Sequence, residues 1–159
     1  MTLIDSSSAA AARKARKWQG VYALVPGFAV YPGIAETLRQ LRASQRPVAV
    51  VTSSPRSYFE RVAKAHDFDF SASVCYHDCP SGQCKPHPFS ILRALEHLGL
   101  PAAAVLAIGD APGDILAAQA AGVPAAAALW GVPQRADLVA TKADYYFETV
   151  EDMRKVIFG

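Results

Sequence analysis

Val105-Leu106-Ala107-Ile108-Gly109-Asp110-Ala111-Pro112-Gly113-Asp114 is the stretch that decides how this chain folds. Its opening run of apolar residues predicts a short strand covered on both faces, the pattern of a parallel sheet rather than of a half-exposed ribbon. Gly109-Asp110 ends the strand. A helix is expected from about Gly113 to Ala121, with Gly122 as its stop. A strand that runs straight into a helix predicts a parallel neighbour, because a crossover returns the chain to the same end of the sheet.

The same grammar recurs on both sides. Upstream, Val48-Ala49-Val50-Val51-Thr52 predicts a strand, and Ser54-Pro55 starts a helix with Ser54 as cap and Tyr58 or Phe59, Val62 and Ala65 facing inward. Ser73-Val74-Cys75-Tyr76 predicts another strand, His77 to Lys85 a polar loop, and Pro88 to Leu98 a helix burying Ile91, Leu92, Leu95 and Leu98. Downstream, Ala125 to Leu129 and Tyr145 to Phe147 predict two more strands, and Val150 to Ile157 a terminal helix. Nearer the amino terminus, Ile34, Leu38 and Leu41 recur at helical spacing, and Ser6 to Trp18 predicts a helix capped by Asp5 or Ser6. Val21 to Pro32, broken by Pro26, Gly27 and Pro32, stays open. The expected fold class is α/β: a Rossmann-like, three-layer α/β/α arrangement on a mainly parallel sheet. It forms a single domain over 1–159, with an N-terminal helix and irregular segment over 1–33 and the α/β core over 34–159.

Composition narrows the function. Of 159 residues, 52% are hydrophobic and 19% charged, which excludes a disordered chain. A net charge of +2 predicts neither a nucleic-acid nor a membrane partner, although residues 1–46 hold seven Lys/Arg against two Asp/Glu. No apolar run nears the roughly 18 residues of a membrane span, and no signal-peptide core follows a charged start. Three cysteines, an odd number, fit a reducing, cytoplasmic setting.

In a parallel α/β sheet, ligands bind beyond the carboxyl ends of the strands. Thr52-Ser53-Ser54 follows one strand and precedes a helix N-terminus, where hydroxyls and backbone N–H groups cradle phosphate. Lys85 stands between Cys84 and Pro86, held by prolines before a helix, and suits a cation that neutralises a phosphoryl group. Asp110 and Asp114 flank a turn into a helix and supply the hard oxygens that Mg²⁺ uses together with substrate phosphate. Singly, these residues read as a helix cap, a loop lysine and a turn. Their order and spacing together carry the argument.

That order resembles motifs II, III and IV of the haloacid dehalogenase (HAD) superfamily, along with the stretches VTSSPRSY, CYHD, KPHP and AALWG. The resemblance implies a HAD-like fold without a full cap domain, and an Mg²⁺-dependent phosphomonoester phosphatase. It assigns Thr52 to the phosphoryl group, beside the Ser53 of the same cradle, Lys85 to nucleophile and phosphate, and Asp110 to the metal. Asp114 assists the metal or orients Lys85. The implied partner is a small phosphorylated molecule or a phosphoprotein, and a homo-oligomer could cover the site.

The family's first motif, Asp-x-Asp-x-Thr, does not occur in this chain. Thr2 aligns with its threonine, so the nucleophile and the general acid/base of the family have no counterpart. The expectation is a HAD-like chain that does not turn over as it stands, through a late start or genuine loss; a non-catalytic binding module is the alternative. The resemblance implies that the strand carrying that motif lies between those ending at Thr52 and Asp110. Without it, either the two flanking strands close up, Val21 to Val25 fills the place, another chain donates an edge, or the start is assigned too far downstream. Two weaker readings remain. Cys75, His77, Cys79 and Cys84 invite a zinc or redox site at spacings just outside the usual ones, and Arg13 to Lys17 offer a basic face that could draw anions inward.

Overall fold

The computed structural model describes residues 2–133 and 135–159. The chain begins with strand β1 (Ile4–Asp5), a 3-10 turn (Ser7–Ala9), helices α1 (Ala10–Lys14) and α2 (Trp18–Leu24), a second 3-10 turn (Val25–Gly27) and β2 (Ala29–Val30). β1 and β2 pair antiparallel, with Ile4 opposite Val30. The single helix expected from Ser6 to Trp18 is therefore two. Arg16 takes a left-handed φ of 54°, and the turn lets Trp18 stack on Tyr22 and meet the Tyr58 ring. The open segment resolves the same way: Val21 and Val25 are buried in a cluster with Ile4, Phe28, Tyr58 and Val62.

The rest alternates as the sequence predicts, with one short helix over Ala136–Val139 that the expected elements do not include: α3 (Ile34–Ala43), β3 (Ala49–Val51), α4 (Arg56–Ala65), β4 (Ala72–Val74), α5 (Phe89–Leu98), β5 (Ala107–Gly109), α6 (Pro112–Ala120), β6 (Ala125–Ala128), α7 (Ala136–Val139), β7 (Tyr145–Phe147) and α8 (Val150–Phe158). β3 pairs with β4, and β5 with β6 and β6 with β7, all in parallel. Four alanines make up β6, all of them completely buried. Side chains alternate across a strand: Ala125 and Ala127 meet Ile115, Leu138 and Val123 on one face, while Ala126 and Ala128 meet Ile34, Phe147 and Met153 on the other. The small side chains let helices approach from both sides, which is what makes the fold three-layered.

Two inward assignments on helices are corrected. On α5 the buried residues are Ser90 and Ala94, with Ile91 and Leu95 packed beside them on the core. Leu92, about 100° round the helix from Ile91, is 49% exposed. On α4, Tyr58 and Val62 are buried, whereas Ala65, its last residue, is exposed.

The parallel strands do not form one continuous sheet. β3 and β5 belong to separate sheets and do not pair, so the flanking strands have not closed up. Val21 to Val25 does not fill the place either, since it lies in α2 and the following turn. Between the two strands runs a cavity of about 980 Å³, lined along its length from Pro47 and Val105 to Thr52 and Asp110.

Candidate active site

The site lies where the carboxyl ends of β3 and β5 meet the mouth of that cavity. Thr52 N donates to Val74 O at 2.9 Å, which keeps Thr52 in the ladder one residue beyond β3. Its Oγ1 accepts from Ser54 N at 3.1 Å and folds the chain toward α4. The cap of α4 is Pro55 rather than the expected Ser54, and no side chain caps the helix. Thr52, Ser53 and Ser54 all line the mouth.

Lys85 reaches the same point from the loop before α5. Its Nζ donates to Val51 O at 3.1 Å and to Asp114 Oδ1 at 2.5 Å. The lysine and aspartate side chains are only 12% and 22% exposed, so the pair is little screened by water. Asp114 sits in the first turn of α6, where its Oδ2 accepts from Ala111 N at 3.1 Å and closes the helix start. Gly109 makes this approach possible: a Cβ on residue 109 would stand 2.2 Å from Asp114 Cβ, closer than two side chains can pack. The glycine at the strand end is thus a requirement of space.

Asp110 faces a different set of partners. Thr2 Oγ1 donates to its Oδ1 at 2.8 Å, and Trp130 Nε1 fixes Thr2 through its carbonyl at 2.9 Å. Tyr31 is close enough that burial first, then the charges of Asp5 and Asp110, push its phenol above the ordinary tyrosine value. The Tyr31 hydroxyl packs against Gly131, where a Cβ would lie 2.0 Å away. Arg13 also lines the cavity, and its buried Nε has no hydrogen-bond partner among the described residues. Sequence reasoning did not single out Tyr31 or Trp130. Trp130 stands in the quoted stretch AALWG with no role assigned to it, Tyr31 stands in no quoted stretch, and both arrive through long-range packing against Thr2 and Asp110.

Thr52, Ser53, Lys85, Asp110 and Asp114 are therefore brought to one mouth. Among the described residues, no three His, Cys, Asp or Glu side chains gather in a group that could hold a metal ion. With Asp114 turned to Lys85 and Ala111, the carboxylate left to face a cation at the mouth is Asp110. That donor set is too small for an all-protein cage. It fits Mg²⁺, which binds through one or two carboxylates plus phosphate oxygens and water.

Among the described residues, the carboxylates that line the cavity are Asp110 and Asp114. The only Asp-x-Asp pair in the sequence is Asp67 and Asp69. It lies at the other end of the strands: Asp69 pairs with Arg42 at 3.0 Å, and Ser71 N, two residues on, bonds Val48 O where β3 begins. Asp5 Oδ1 is occupied by Ser7 N at 2.9 Å. The three cysteines are free thiols. Burial raises both Cys75 and Cys79, and the neighbouring Cys84 raises Cys79 further. No helix among the described residues is long and apolar enough to cross a membrane.

Comparison with known proteins places this geometry. The profile of haloacid dehalogenase-like hydrolases matches residues 4–122. A relative from Caldanaerobacter subterraneus subsp. tengcongensis that carries the name pyrophosphatase PpaX is 36% identical over 128 residues, covering 79% of this chain and 57% of the relative. A phosphoglycolate phosphatase of Mannheimia succiniciproducens is 32% identical over 130 residues, covering 80% and 57%. Among solved structures, a HAD-superfamily hydrolase of subfamily IA from Geobacter sulfurreducens superposes with a TM-score of 0.69 at 29% identity, covering 86% of this chain and 60% of that one. The chain spans little more than half the length of the curated relatives it matches.

Proposed function

This chain belongs to the haloacid dehalogenase-like hydrolase family, and from that premise we propose that it is the phosphate-binding core of a phosphomonoester phosphatase whose nucleophile is not among these 159 residues. The observation that supports the reading is the meeting of Thr52, Lys85, Asp110 and Asp114 at one mouth. The Thr52 hydroxyl accepts from Ser54 N and keeps its own proton to donate to a phosphoryl oxygen. Ser53 lies beside it, at the uncapped start of α4, where backbone N–H groups favour an anion. Lys85 supplies a fixed positive charge, held in place by Asp114 and Val51. Asp110, steadied by Thr2, is the residue that would hold Mg²⁺ jointly with the phosphate; the ion would withdraw charge from the phosphoryl oxygens.

These residues bind and orient an oxyanion, but they do not attack it. The carboxylates lining the cavity are Asp110 and Asp114, and both have the duties just described. The same observation favours the second reading, a HAD-fold module that binds a phosphorylated ligand without hydrolysing it. The names carried by the relatives support a small phosphorylated molecule as ligand. Both readings meet one assay, p-nitrophenyl phosphate with Mg²⁺. The expected result is no turnover by these residues alone, and turnover once a strand ending in Asp-x-Asp is fused ahead of Thr2. Robust hydrolysis by the unmodified chain that disappears in Asp110→Ala would overturn the account. A fusion that stays inactive while still binding phosphate would favour the non-catalytic module.

A further inference from the structure

β4 ends at Val74, and the chain turns at once through Tyr76, His77 and Asp78. Asp78 Oδ2 holds that turn by accepting from Cys75 N at 2.7 Å and pairing with Arg56 of α4. Tyr76 is thereby fixed beside both halves of the phosphate site. Its N–H donates to Ser54 O at 3.0 Å, and the sulfur of Cys84, next to Lys85 in the chain, lies 4.0 Å from Tyr76 O. The exposed His77 ring meets the half-buried Tyr76 ring edge-on, with centroids 5.0 Å apart and planes at 82°. Arg16 approaches from just beyond α1, and its guanidinium carbon stands 5.8 Å from the centre of the Tyr76 ring. That is within cation–π range but beyond the ~3.5–4.0 Å of carbon contact, so the centre of the ring stays uncovered. The charge beside it has one sign. Arg13, Lys14, Arg16 and Lys17 follow closely in the chain, and no Asp or Glu stands between Asp5 and Glu36.

A ligand that uses all of these groups carries a phosphoryl for Thr52 and Lys85, a flat ring for Tyr76, and a spacer between them. Ser54 is two residues past Thr52, no more than ~7 Å of chain, and Tyr76 stands one hydrogen bond beyond it. Phosphoryl and ring positions are therefore neighbours that do not coincide. In an aryl phosphate the ring is bonded directly to the phosphate oxygen; in a nucleotide a ribose separates the two. We propose that the phosphorylated ligand of this site is a nucleoside monophosphate, whose base stacks on Tyr76 beside the Arg16 guanidinium. Every base offers a π face to an aromatic ring or a guanidinium plane, so these residues select the nucleotide class and not one base. This assignment rests on the reading of Thr52 and Lys85 as phosphate ligands, and names the group to which the phosphate is attached.

The test is titration calorimetry of the full 159-residue chain in Mg²⁺ with inorganic phosphate, adenosine monophosphate and the corresponding ribose phosphate, which lacks only the base. Adenosine monophosphate should bind at least about tenfold more tightly than the ribose phosphate, the lower end of what one stacked base contributes, and inorganic phosphate should displace it. Tyr76→Leu removes the π face and keeps an apolar side chain; it should bring the two affinities within about twofold of each other. Arg16→Lys keeps the charge and loses the planar group. It should weaken adenosine monophosphate by about threefold and leave the ribose phosphate unaffected. Where Tyr76→Leu does not fold, Arg16→Lys, at an exposed side chain, carries the test. Equal binding of the nucleotide and the ribose phosphate, with inorganic phosphate still bound, would overturn the nucleotide assignment alone. So would a preference that survives both substitutions, or phenyl phosphate bound as tightly as the nucleotide, which would assign the ring to an aryl ester. If no probe binds, the phosphate-site reading falls, and this assignment falls with it.

Discussion

Lys85 Nζ is held between Asp114 Oδ1 at 2.5 Å and Val51 O at 3.1 Å, so a single ammonium ties the start of α6 to the end of β3 across the cavity mouth. Asp114 does two jobs there, as ion-pair partner and as cap for Ala111 N. Asp114→Ala removes both and is expected to destabilise the fold by about 2–3 kcal/mol. Asp114→Asn keeps an oxygen for Ala111 N and should cost about half as much. Urea unfolding of the three proteins checks the order; equal stability for Asp114→Ala and the parent would show the pair to be idle.

Gly109→Ala tests the space that lets Asp114 approach. The added methyl would meet Asp114 Cβ at 2.2 Å, so either the β5 end or the α6 start must shift. Overpacking of this kind costs about 1–3 kcal/mol. Because the shift displaces the partner of Lys85, phosphate affinity should fall together with Tm. Gly113→Ala is the control, since a Cβ there meets nothing closer than 3.8 Å. If Gly109→Ala binds inorganic phosphate like the parent, the position of Asp114 has no bearing on the site.

How far the sequence reaches can be seen at these same residues. Lys85 is legible from the prolines that hold it before a helix. Thr52 and the Gly109 to Asp114 turn are legible because each sits at a strand end, and strand ends follow from short apolar runs closed by polar or glycine residues. The alternation of strands and helices is legible for the same reason. Tyr31, the hold of Trp130 on Thr2 and the carbonyl of Val51 are not. They reach the site through contacts spanning tens of residues, and a periodic pattern carries no record of such contacts. The break at Arg16 was hidden by alanine-rich helix propensity, which tertiary packing of Trp18 against Tyr58 overrides. That β3 and β5 lie in separate sheets is one of several arrangements the sequence left open, because a pattern of apolar runs does not say which strands pair.

Thr52→Val keeps the shape of the side chain and removes its donor. Inorganic phosphate, or a tungstate mimic, should bind roughly tenfold more weakly, the effect of about one charge-assisted hydrogen bond. Thr52→Ser should restore most of the affinity, because the hydroxyl returns at the same backbone position. Isothermal titration of the three proteins measures this. A valine variant with undiminished affinity would remove Thr52 from the phosphate site.

The Cys79 thiol is raised by burial and by its neighbour Cys84, and Cys75 by burial. Thiols held in the neutral form are poor nucleophiles. Iodoacetamide at neutral pH should therefore modify Cys75 and Cys79 more slowly than an unfolded control, and alkylation should accelerate only as the solution is made alkaline. The purified protein is also expected to carry no stoichiometric zinc. Rapid labelling of Cys79 at neutral pH, or one equivalent of tightly bound zinc, would revive the metal or redox reading of this loop.

Tyr31 supplies the alkaline test of the site. Its phenol ionises above the ordinary tyrosine value because the ring is desolvated and because Asp5 and Asp110 repel a phenolate, in that order. A folded pKa raised above the unfolded one means that the native state holds the proton longer. The stabilisation is complete below about pH 10, the unfolded value, and is lost as pH rises through the folded one. Tyr58 is shifted the same way by burial, so Tyr31→Phe should remove only part of the alkaline loss of stability. Asp110→Asn should move the Tyr31 midpoint back toward the ordinary value but not fully, since burial remains. Ultraviolet titration of the parent, Tyr31→Phe and Asp110→Asn resolves these contributions. A Tyr31 midpoint indifferent to Asp110→Asn would mean that the phenol does not sense the carboxylate at the mouth.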